Sequence, residues 1–587
     1  MIPASARRLC KKISFATVAP LACALLMIFP SVMLFSYVRA FGVNVVFWDD
    51  WEMIPVFQRA MSGLLSVSDL LAQHNEHRMP IPKLVMVAIG NLTHYDTVAV
   101  MLFSWVLICL TCALLFYLYR KQYSWNGHFK HLLIFLPVVL LLFNFRQWQS
   151  LLWAITNQIY LMIFAVVATF ALLEISRKID GFLFLGFLSA AVASFSFLAG
   201  LAVWPVGFLQ MIISDRERKL RDSALWCSVA GAAFITYFWG YAKPSYLPPL
   251  DSIFKQPLAA AGYYLAFVGS PVVYGDTAIA QAIGIGLVLI GIIIIELGYR
   301  KGLLRNNRVW LSLILFAFIS SVIVTVGRSG LGLEQAMASR YTPITVLGII
   351  GLYFLAVSTS KKLPTKSKSF SFQGTLVLLL VVIVAAYIVG CCAGWYEGQR
   401  MKSSREMGAY ILKTNKIQSD ENIKNYLYIS PEVVRERAIF LEENGLNVFS
   451  EPCIDTSELA LIGSDTFCAL ETINGVVTSE TSGALVVNSS QHETLTITGW
   501  AVDKQANDAA SAVFLVIDDS HIIPAVYGLA KPDVASHFNN RNFRLSGFVA
   551  TFSSSILCNG EHDLTLKIVS KDRRCYYQKQ LASLVVT

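Results

Sequence analysis

Two adjacent carboxylates, Asp49 and Asp50, follow the first long apolar stretch of the chain, in the segment VVFWDDWEMIP. They lie between Trp48 and Trp51, and Glu52 comes directly after them. An acidic pair at the start of a helix is often a cap that the helix dipole favours, and tryptophan is common at membrane interfaces. A carboxylate can also accept a proton from a bound hydroxyl group. Charged groups elsewhere in the chain decide between these interpretations.

A second polar group lies further along the same connection, in AQHNEHRMPIPK. It places His74, Glu76, His77 and Arg78 in one short turn that is bounded by prolines. A turn of this kind is more often a hydrogen-bonded surface than a metal site. His74, Glu76 and His77 are nevertheless ligand types that can hold a divalent ion together with the acidic pair. Metal binding therefore stays open, and no metal is predicted.

Positive charge is concentrated in a later segment, VGRSGLGLEQAMASRYTP. Arg328 ends one apolar stretch, Arg340 and Tyr341 begin the next, and Gln335 lies between them. Guanidinium groups form paired, charge-assisted hydrogen bonds with phosphate oxygens, so two arginines at an interface suit a lipid phosphate. The alternative is that they only anchor the chain to ordinary anionic headgroups.

The elements that carry these residues are predicted to span a membrane. Of the 587 residues, 55% are hydrophobic and 14% are charged, which is too apolar for an ordinary soluble protein. A bilayer core needs roughly 20 residues of helix. Apolar stretches predict eleven spans, at residues 14–38, 98–119, 132–145, 157–175, 182–199, 201–214, 223–241, 277–299, 309–327, 341–359 and 374–392.

Basic residues lie in alternate connections between these spans, and this pattern predicts the orientation of the chain. The N-terminus is predicted inside and the C-terminus outside, which places the acidic pair, the histidine turn and the arginine segment on the outer face. The net charge of +9 reflects this topology and does not indicate nucleic-acid binding. The first outer connection, residues 43–97, contains apolar stripes at helical spacing, which predict amphipathic helices at the membrane surface.

The spans themselves contain few ionisable residues. Ion-coupled transporters usually carry carboxylates, histidines or basic groups inside their spans. A protein that works on a lipid-borne headgroup at the membrane surface is instead expected to have its charge concentrated at the outer rim, and this chain shows that distribution.

The composition changes after the last span. Residues 1–395 are predicted to form the membrane domain, 396–450 a helical connector and 451–587 a domain of short alternating strands, which indicates an antiparallel β-sandwich. Four cysteines in an oxidising compartment can form two bridges. The simplest pairing is Cys453 with Cys468 and Cys558 with Cys575.

The motifs FWDDW, QHNEHR and GRSGLGLEQAMASRY, together with many spans and an outside C-terminal domain, resemble the GT-C class of integral-membrane glycosyltransferases. Within that class they look like bacterial enzymes that modify surface polysaccharide, including the serotype-converting O-antigen glucosyltransferases. The resemblance covers roughly residues 1–395. The pattern GWAVD with VIDD and AVYGLAKPDVASHF is similar to sandwich domains that are appended to such proteins.

The resemblance implies transfer of a hexose, with glucose as the expected sugar, from a polyprenyl-phosphate carrier to a cell-surface polysaccharide, with inversion at the anomeric carbon. It places the enzyme in the bacterial inner membrane, with its C-terminal domain in the periplasm. An outside active site also requires separate proteins that make the donor and flip it across the membrane. A flippase of polyprenyl-linked glycans and a polysaccharide polymerase are the alternatives.

The resemblance also implies roles for individual residues. The catalytic base falls on Asp49 or Asp50, and the adjacent pair leaves open which of them it is. The donor phosphate is expected on Arg328, Arg340 and Arg78. The remaining substrate contacts are expected from Trp51, Glu76, His77, Gln335 and Tyr341.

Overall fold

The computed structural model describes residues 15–123, 128–176, 180–249, 251–361, 370–450 without 414, 417 and 419, 459–477, 485–487 and 494–587. The chain forms two compact units. The first contains residues 1–42 and 55–401, and the second contains residues 43–54 and 402–587. The acidic segment of the first outer connection therefore belongs to the same unit as the C-terminal part of the chain.

The first unit is helical. Its shorter helices are Ile54–Met61, Val67–Leu71, Pro80–Thr93, Trp148–Leu151, Asp180–Ser194, Val203–Ile213, Ser252–Lys255 and Pro257–Gly269. Its longer helices are Phe15–Phe41, Thr97–Gln122, His128–Leu142, Asn157–Ile175, Lys219–Phe238, Thr277–Arg300, Arg308–Arg328, Thr342–Lys361 and Phe370–Lys413, the last of which belongs to the second unit from Lys402 onward. The predicted amphipathic helices after the acidic segment correspond to Ile54–Met61 and Pro80–Thr93.

Within the described part of the chain, six helical segments are long and apolar enough to cross a membrane. They are Thr97–Gln122, Lys130–Leu151, Ala154–Ile175, Thr277–Arg300, Arg308–Leu331 and Ser339–Ser360. The six correspond to six of the eleven predicted spans and support a membrane protein. Three other predicted spans, 14–38, 182–199 and 201–214, fall on the shorter apolar segments Leu25–Phe41, Asp180–Ser194 and Leu198–Ile213, and the remaining two, 223–241 and 374–392, do not meet the criterion among the described residues. The described part of the chain therefore supports fewer spans than the eleven predicted. Asp180–Ser194 has 15 residues. At 1.5 Å per residue this helix is about 22 Å long, shorter than a typical bilayer core.

The helix Pro257–Gly269 is absent from the sequence-based prediction. Its 13 residues are too few for a span by the length criterion, although all but a few are apolar. It packs against Thr277–Arg300, and Gly269 and Gly284 lie where a Cβ atom would clash with the backbone of the neighbouring helix. Small residues at helix contacts allow such close approach.

Contacts between the helix connections divide them into two groups. In the first group, Arg308 forms an ion pair with Glu174 at 2.6 Å, and Arg216 donates to the carbonyl oxygen of Leu173 at 2.8 Å. In the second group, residues 73–78 contact the chain around residues 237–242 and Arg328. These two groups contain the connections that the basic-residue pattern assigns to the inner and outer faces, respectively.

The second unit contains the C-terminal β domain, which has two six-stranded sheets. In the first sheet the order is Ala460–Gly463, Cys575–Val586, Gly560–Val569, Ala512–Ile517 and His521–Pro524, with Leu485–Val487 also paired to Cys575–Val586. In the second it is Val476–Val477, Cys468–Ile473, Thr494–Asp503, Gly547–Ser553 and Val526–Leu529, with Asp508–Ala509 paired to Thr494–Asp503. Buried residues of both sheets, such as Ile497 and Leu566, form one hydrophobic core.

The predicted antiparallel arrangement is wrong for two strand pairs. Ala460–Gly463 and Leu485–Val487 both run parallel to Cys575–Val586.

The second unit also contains the helices Asp420–Tyr426, Pro431–Glu443 and Pro532–His537. Pro431–Glu443 is followed by Gly445, whose left-handed backbone, with φ of 58°, is typical of the residues that end a helix.

The predicted bridge between Cys558 and Cys575 is not formed, because both cysteines are free thiols. Cys558 precedes the start of Gly560–Val569, whose first residue pairs with Val586, whereas Cys575 lies at the other end of the same strand pair. The two cysteines are therefore separated by the length of a ten-residue strand, about 30 Å, far beyond the reach of a disulfide. Cys468 is also free, and its predicted partner Cys453 lies outside the described residues.

An ion pair in the β domain leads to a pH-dependence prediction. His562 Nδ1 lies 2.6 Å from Asp518 Oδ2, and Nε2 lies 2.7 Å from the carbonyl oxygen of Cys558. Because both ring nitrogens face acceptors, the cationic imidazole is favoured, and the hydrogen bond to Asp518 raises the pKa of His562 above 6.5.

We therefore expect the β domain to be more stable below pH 6.5 and to lose this contribution as the pH rises through the raised pKa of His562. The loss should be about 1 kcal/mol or less, because the Asp518 side chain is 40% exposed. Hydrogen exchange of Gly560–Val569 in the full-length protein, corrected for the intrinsic rate, measures it. The variant His562→Gln should not show this pH dependence; if it does, another group is responsible.

Candidate functional site

A tight turn positions the histidine and glutamate side chains of the first unit. His74 and His77 exchange two backbone hydrogen bonds, each of 2.8 Å, and Asn75 between them has a left-handed backbone with φ of 50°. Asparagine tolerates this conformation better than most residues do. The turn leaves the side chains of Glu76 and His77 buried, each with 6% exposure.

The orientation of His77 is determined by a neighbouring connection. The backbone N–H of Leu198 donates to His77 Nδ1 at 3.2 Å, and the imidazole packs against the ring of Phe197 with centroids 4.2 Å apart. An Nδ1 atom that accepts a hydrogen bond leaves the ring proton on Nε2. Nε2 faces Glu76 Oε1 at 3.6 Å. The imidazole therefore directs its N–H toward the carboxylate.

Glu76 forms an ion pair with Arg328, the last residue of the helix Arg308–Arg328. A cation is favoured at this position because the helix dipole is negative at its C-terminus. Burial opposes the charge of Glu76, but the His77 ring and the Arg328 guanidinium outweigh burial and lower the pKa of Glu76 to about 2. Glu76 is therefore a carboxylate at neutral pH, and a weak base.

Gln335 connects the two arginines. When its amide oxygen faces them, it accepts hydrogen bonds from Arg340 at 3.1 Å and from Arg328 at 3.3 Å, while its nitrogen donates to the Tyr263 hydroxyl. The ring of Tyr341 lies below both guanidinium groups, whose Cζ atoms are 5.0 Å and 6.0 Å from its centroid. The structure thus brings together Glu76 and His77 with all four residues that were predicted in the arginine segment.

A cavity of approximately 410 Å³ opens beside this cluster. Its wall is almost entirely apolar and includes Phe234 and Phe238 as well as one face of Arg308–Arg328 from Ile319 onwards. Ile319 and Arg328 are nine residues apart in this helix, which corresponds to about 13 Å. The cavity therefore extends along the helix from a hydrocarbon-like region to a charged end, where Glu76, His77, Lys243, Arg328 and Tyr341 contribute.

Arg78 has a different role from the predicted one. Its guanidinium donates to the carbonyl oxygens of Tyr237 at 2.7 Å, Leu71 at 2.5 Å and Trp239. The carbonyl groups of Tyr237 and Trp239 lie at the C-terminal end of Lys219–Phe238, and that of Leu71 ends Val67–Leu71; arginine is a common cap at such helix ends. Arg78 is not among the residues that line the cavity. It holds the turn against Lys219–Phe238 and is a positioning residue. Arg340 and Gln335 do not line the cavity either, but they contact Arg328 and Tyr341, which do.

The acidic segment is folded into the second unit. The N–H of Trp48 donates to Leu427 O at 2.8 Å, and the N–H of Val46 donates to Asn447 Oδ1 at 3.1 Å. Glu52 pairs with Arg437 at 3.2 Å and accepts a hydrogen bond from Tyr428 at 2.8 Å. Because these partners are about 400 residues away in the sequence, local spacing gives no indication of them.

The two aspartates have different environments. Asp50 is 1% exposed. Burial lowers the pKa of Arg405 to about 10, and the negative charge of Asp50 acts in the opposite direction. The Arg405 guanidinium also lies over the ring of Phe47. Asp49 is only partly buried. Burial and charge compensation indicate a structural role for Asp50, whereas Asp49 is more accessible to a ligand.

Trp51 is fully buried, so the predicted role of its ring in substrate contact is not supported. Trp48 is the exposed tryptophan of the segment, at 40%. Residues 48–53 form a 3₁₀ helix, in which side chains three residues apart would lie on the same side. The left-handed backbone of Trp48, with φ of 45°, removes this alignment at the first residue. Within the described residues there is no cluster of three or more histidine, cysteine, aspartate or glutamate side chains that could hold a metal, and His74 takes part in none.

Several residues of the site were missed from the sequence. Tyr263 lies on the short helix that the length criterion excluded, and Phe234 and Phe238 lie near the end of Lys219–Phe238, where aromatic residues look like part of an interfacial belt. The only available signal was that Phe234 and Phe238 are four residues apart, which places two aromatic rings on the same face of a helix.

Comparisons with known proteins show little similarity. No protein-family model matches the chain. A relative from Archaeoglobus fulgidus, described as an uncharacterized protein, is 26% identical over 247 residues, which cover 37% of this chain and 61% of the relative. The matched region thus spans less than two thirds of the relative's length, and its description indicates no activity.

Proposed function

We propose that this protein is an inverting glycosyltransferase that moves a hexose, with glucose as the expected sugar, from a polyprenyl-phosphate carrier to a cell-surface polysaccharide such as O-antigen. The observation that carries the proposal is the cavity of the first unit, which is apolar along its length and charged at one end. A long isoprenoid chain with a phosphate headgroup has the same distribution of apolar and charged groups.

In the proposed reaction, Arg328 and Arg340 stabilise the leaving phosphate. The bond between the anomeric carbon and the phosphate oxygen breaks, and its electron pair stays on that oxygen, where guanidinium groups favour the added negative charge. Gln335 holds both guanidiniums in place through its amide oxygen. Such pre-arranged donors lower the barrier because they need no reorganisation during the reaction.

The acceptor hydroxyl requires a base, for which we propose Asp49. The hydroxyl oxygen attacks the anomeric carbon from the side opposite the phosphate, and its proton passes to the base. Glu76 is unsuitable as the base, because a carboxylate with a pKa of about 2 has little tendency to take up a proton at neutral pH.

The proposal places the protein in the bacterial inner membrane with eleven crossings, the N-terminus inside and the C-terminal domain in the periplasm. It is supported by the six membrane-length helices and by the two groups of helix connections described above. Separate proteins would supply the donor on the periplasmic side.

The test is transfer of a labelled hexose from purified polyprenyl-phosphate-hexose to cell-surface polysaccharide by the full-length protein in lipid vesicles. We expect one sugar to be added per acceptor site with at least one of several hexose donors. Translocation of the carrier without an acceptor, and without transfer, would identify a flippase instead. Chain growth would identify a polymerase.

A further inference from the structure

One oxygen of the buried Glu76 carboxylate lacks a partner. The Oε1 atom contacts Arg328, but Oε2 has no hydrogen-bond donor within the described part of the structure. Glu76 is 6% exposed and lines the apolar cavity. Buried polar atoms are nearly always hydrogen-bonded in native proteins, so the unpaired oxygen of a carboxylate that borders the cavity calls for a donor, which a ligand in the cavity can supply.

The charges around the cavity restrict what this ligand can be. Arg328 and Lys243 line the same cavity, so a metal ion at Oε2 would be repelled by two cations. An anion at Oε2 would be repelled by Glu76 itself. A neutral hydroxyl group has neither disadvantage, and its hydrogen bond to a carboxylate is charge-assisted.

We propose that Glu76 Oε2 accepts a hydrogen bond from a sugar hydroxyl and thereby distinguishes the glycosylated carrier from the bare carrier phosphate. This inference rests on the proposed function. The glycosylated carrier is a phosphodiester with one negative charge and several hydroxyls. The bare carrier, which is the product of transfer, is a monoester with a charge of about −1.5 to −2 at neutral pH and no sugar.

Glu76 therefore has opposite effects on the binding of the two carriers. It attracts the sugar of the donor through a hydrogen bond, and it repels the additional charge of the product phosphate. The arginines bind both carriers through the phosphate, so Glu76 provides the difference between them. The consequence is that the product is bound more weakly than the donor and leaves the site after transfer.

The experiment compares binding of polyprenyl-phosphate-hexose and polyprenyl phosphate to the full-length protein by calorimetry in detergent, at one pH and ionic strength. We expect the wild type to bind the hexose carrier roughly tenfold more tightly, the size of one charge-assisted hydrogen bond. In Glu76→Gln the hexose carrier should bind more weakly and the bare carrier more tightly. The affinity for the hexose carrier relative to the bare carrier should therefore fall below about threefold. Misfolding would weaken both.

Two further variants test the assignment. Glu76→Asp keeps the negative charge, but its side chain is one methylene shorter, so the carboxylate oxygen no longer reaches the sugar hydroxyl. This variant should still bind the bare carrier weakly and should lose the tighter binding of the hexose carrier. Glu296→Gln makes the same chemical change in an exposed pair with Arg300 and should match the wild type.

An unchanged ratio in Glu76→Gln, with both carriers bound, would overturn the role of Glu76 and leave the carrier-binding site intact. Failure of the wild type to bind either carrier would instead overturn the proposed function together with this inference.

Discussion

Asp49→Asn is expected to lower the rate of hexose transfer by about 10²- to 10⁴-fold, the usual contribution of a general base. Asparagine has the same shape as aspartate but cannot take up the proton of the attacking hydroxyl. Carrier binding should be unchanged, because the proposed carrier site is formed by Arg328, Arg340 and Gln335 in the first unit. Single-turnover transfer, measured with carrier binding on the same preparation, separates the two effects.

The matched control is Asp50→Asn, the same change at the adjacent residue. Asp50 is buried and faces Arg405, so its neutralisation should destabilise the second unit by about 1–3 kcal/mol. Increased hydrogen exchange in residues 43–54 would report this loss. If Asp50→Asn instead remains fully folded and loses transfer while Asp49→Asn stays active, the base is Asp50. Full activity in both variants would exclude the pair as the base.

Arg328→Gln is expected to weaken carrier binding by about 30-fold or more, since truncating one partner of a buried charged pair costs about 2–5 kcal/mol. Two effects contribute to the loss. The phosphate loses a charged donor, and the buried Glu76 carboxylate loses its counter-ion. Titration of polyprenyl phosphate against the full-length protein measures the first, and thermal unfolding measures the second.

A double variant separates binding from stability. Replacing both Glu76 and Arg328 with glutamine removes the whole ion pair, which is often nearly neutral for stability. We expect thermal stability close to that of the wild type, and carrier binding that stays weak. Recovery of carrier binding in the double variant would contradict the role of Arg328 as a phosphate ligand. Arg328→Lys should bind with intermediate affinity, because lysine keeps the charge but not the paired donors.

Composition and periodicity were sufficient to predict apolar membrane-length helices followed by a domain of strands. Helices that cross a membrane must be long and apolar, and residues such as 309–327 and 277–299 satisfy this requirement without reference to any neighbour. Alternation of residue types in TLTITGWAVD likewise identifies Thr494–Asp503 as a strand, in which partly buried and buried residues alternate from Thr494 to Ala501. The prediction failed for Pro257–Gly269, because a 13-residue apolar helix has no distinct signal.

The residue types of the candidate site were also visible in the sequence, because buried or interfacial charge is unusual in so apolar a chain. Arg328, Arg340 and Gln335 lie within one segment, and their proximity follows from it. That Glu76 pairs with Arg328, 252 residues later, depends on how the helices pack. Local propensity carries no information about such a distant contact.

The tertiary structure alone decided how similar residues are used. Asp49 and Asp50 are adjacent and chemically identical, yet packing around Arg405 buries only one of them almost completely. Arg78 and Arg328 are both arginines in predicted outer connections, but one caps a helix and the other reaches the cavity. Side-chain chemistry determines what a residue is able to do, and the desolvation and partners that long-range packing imposes determine which of these roles it has.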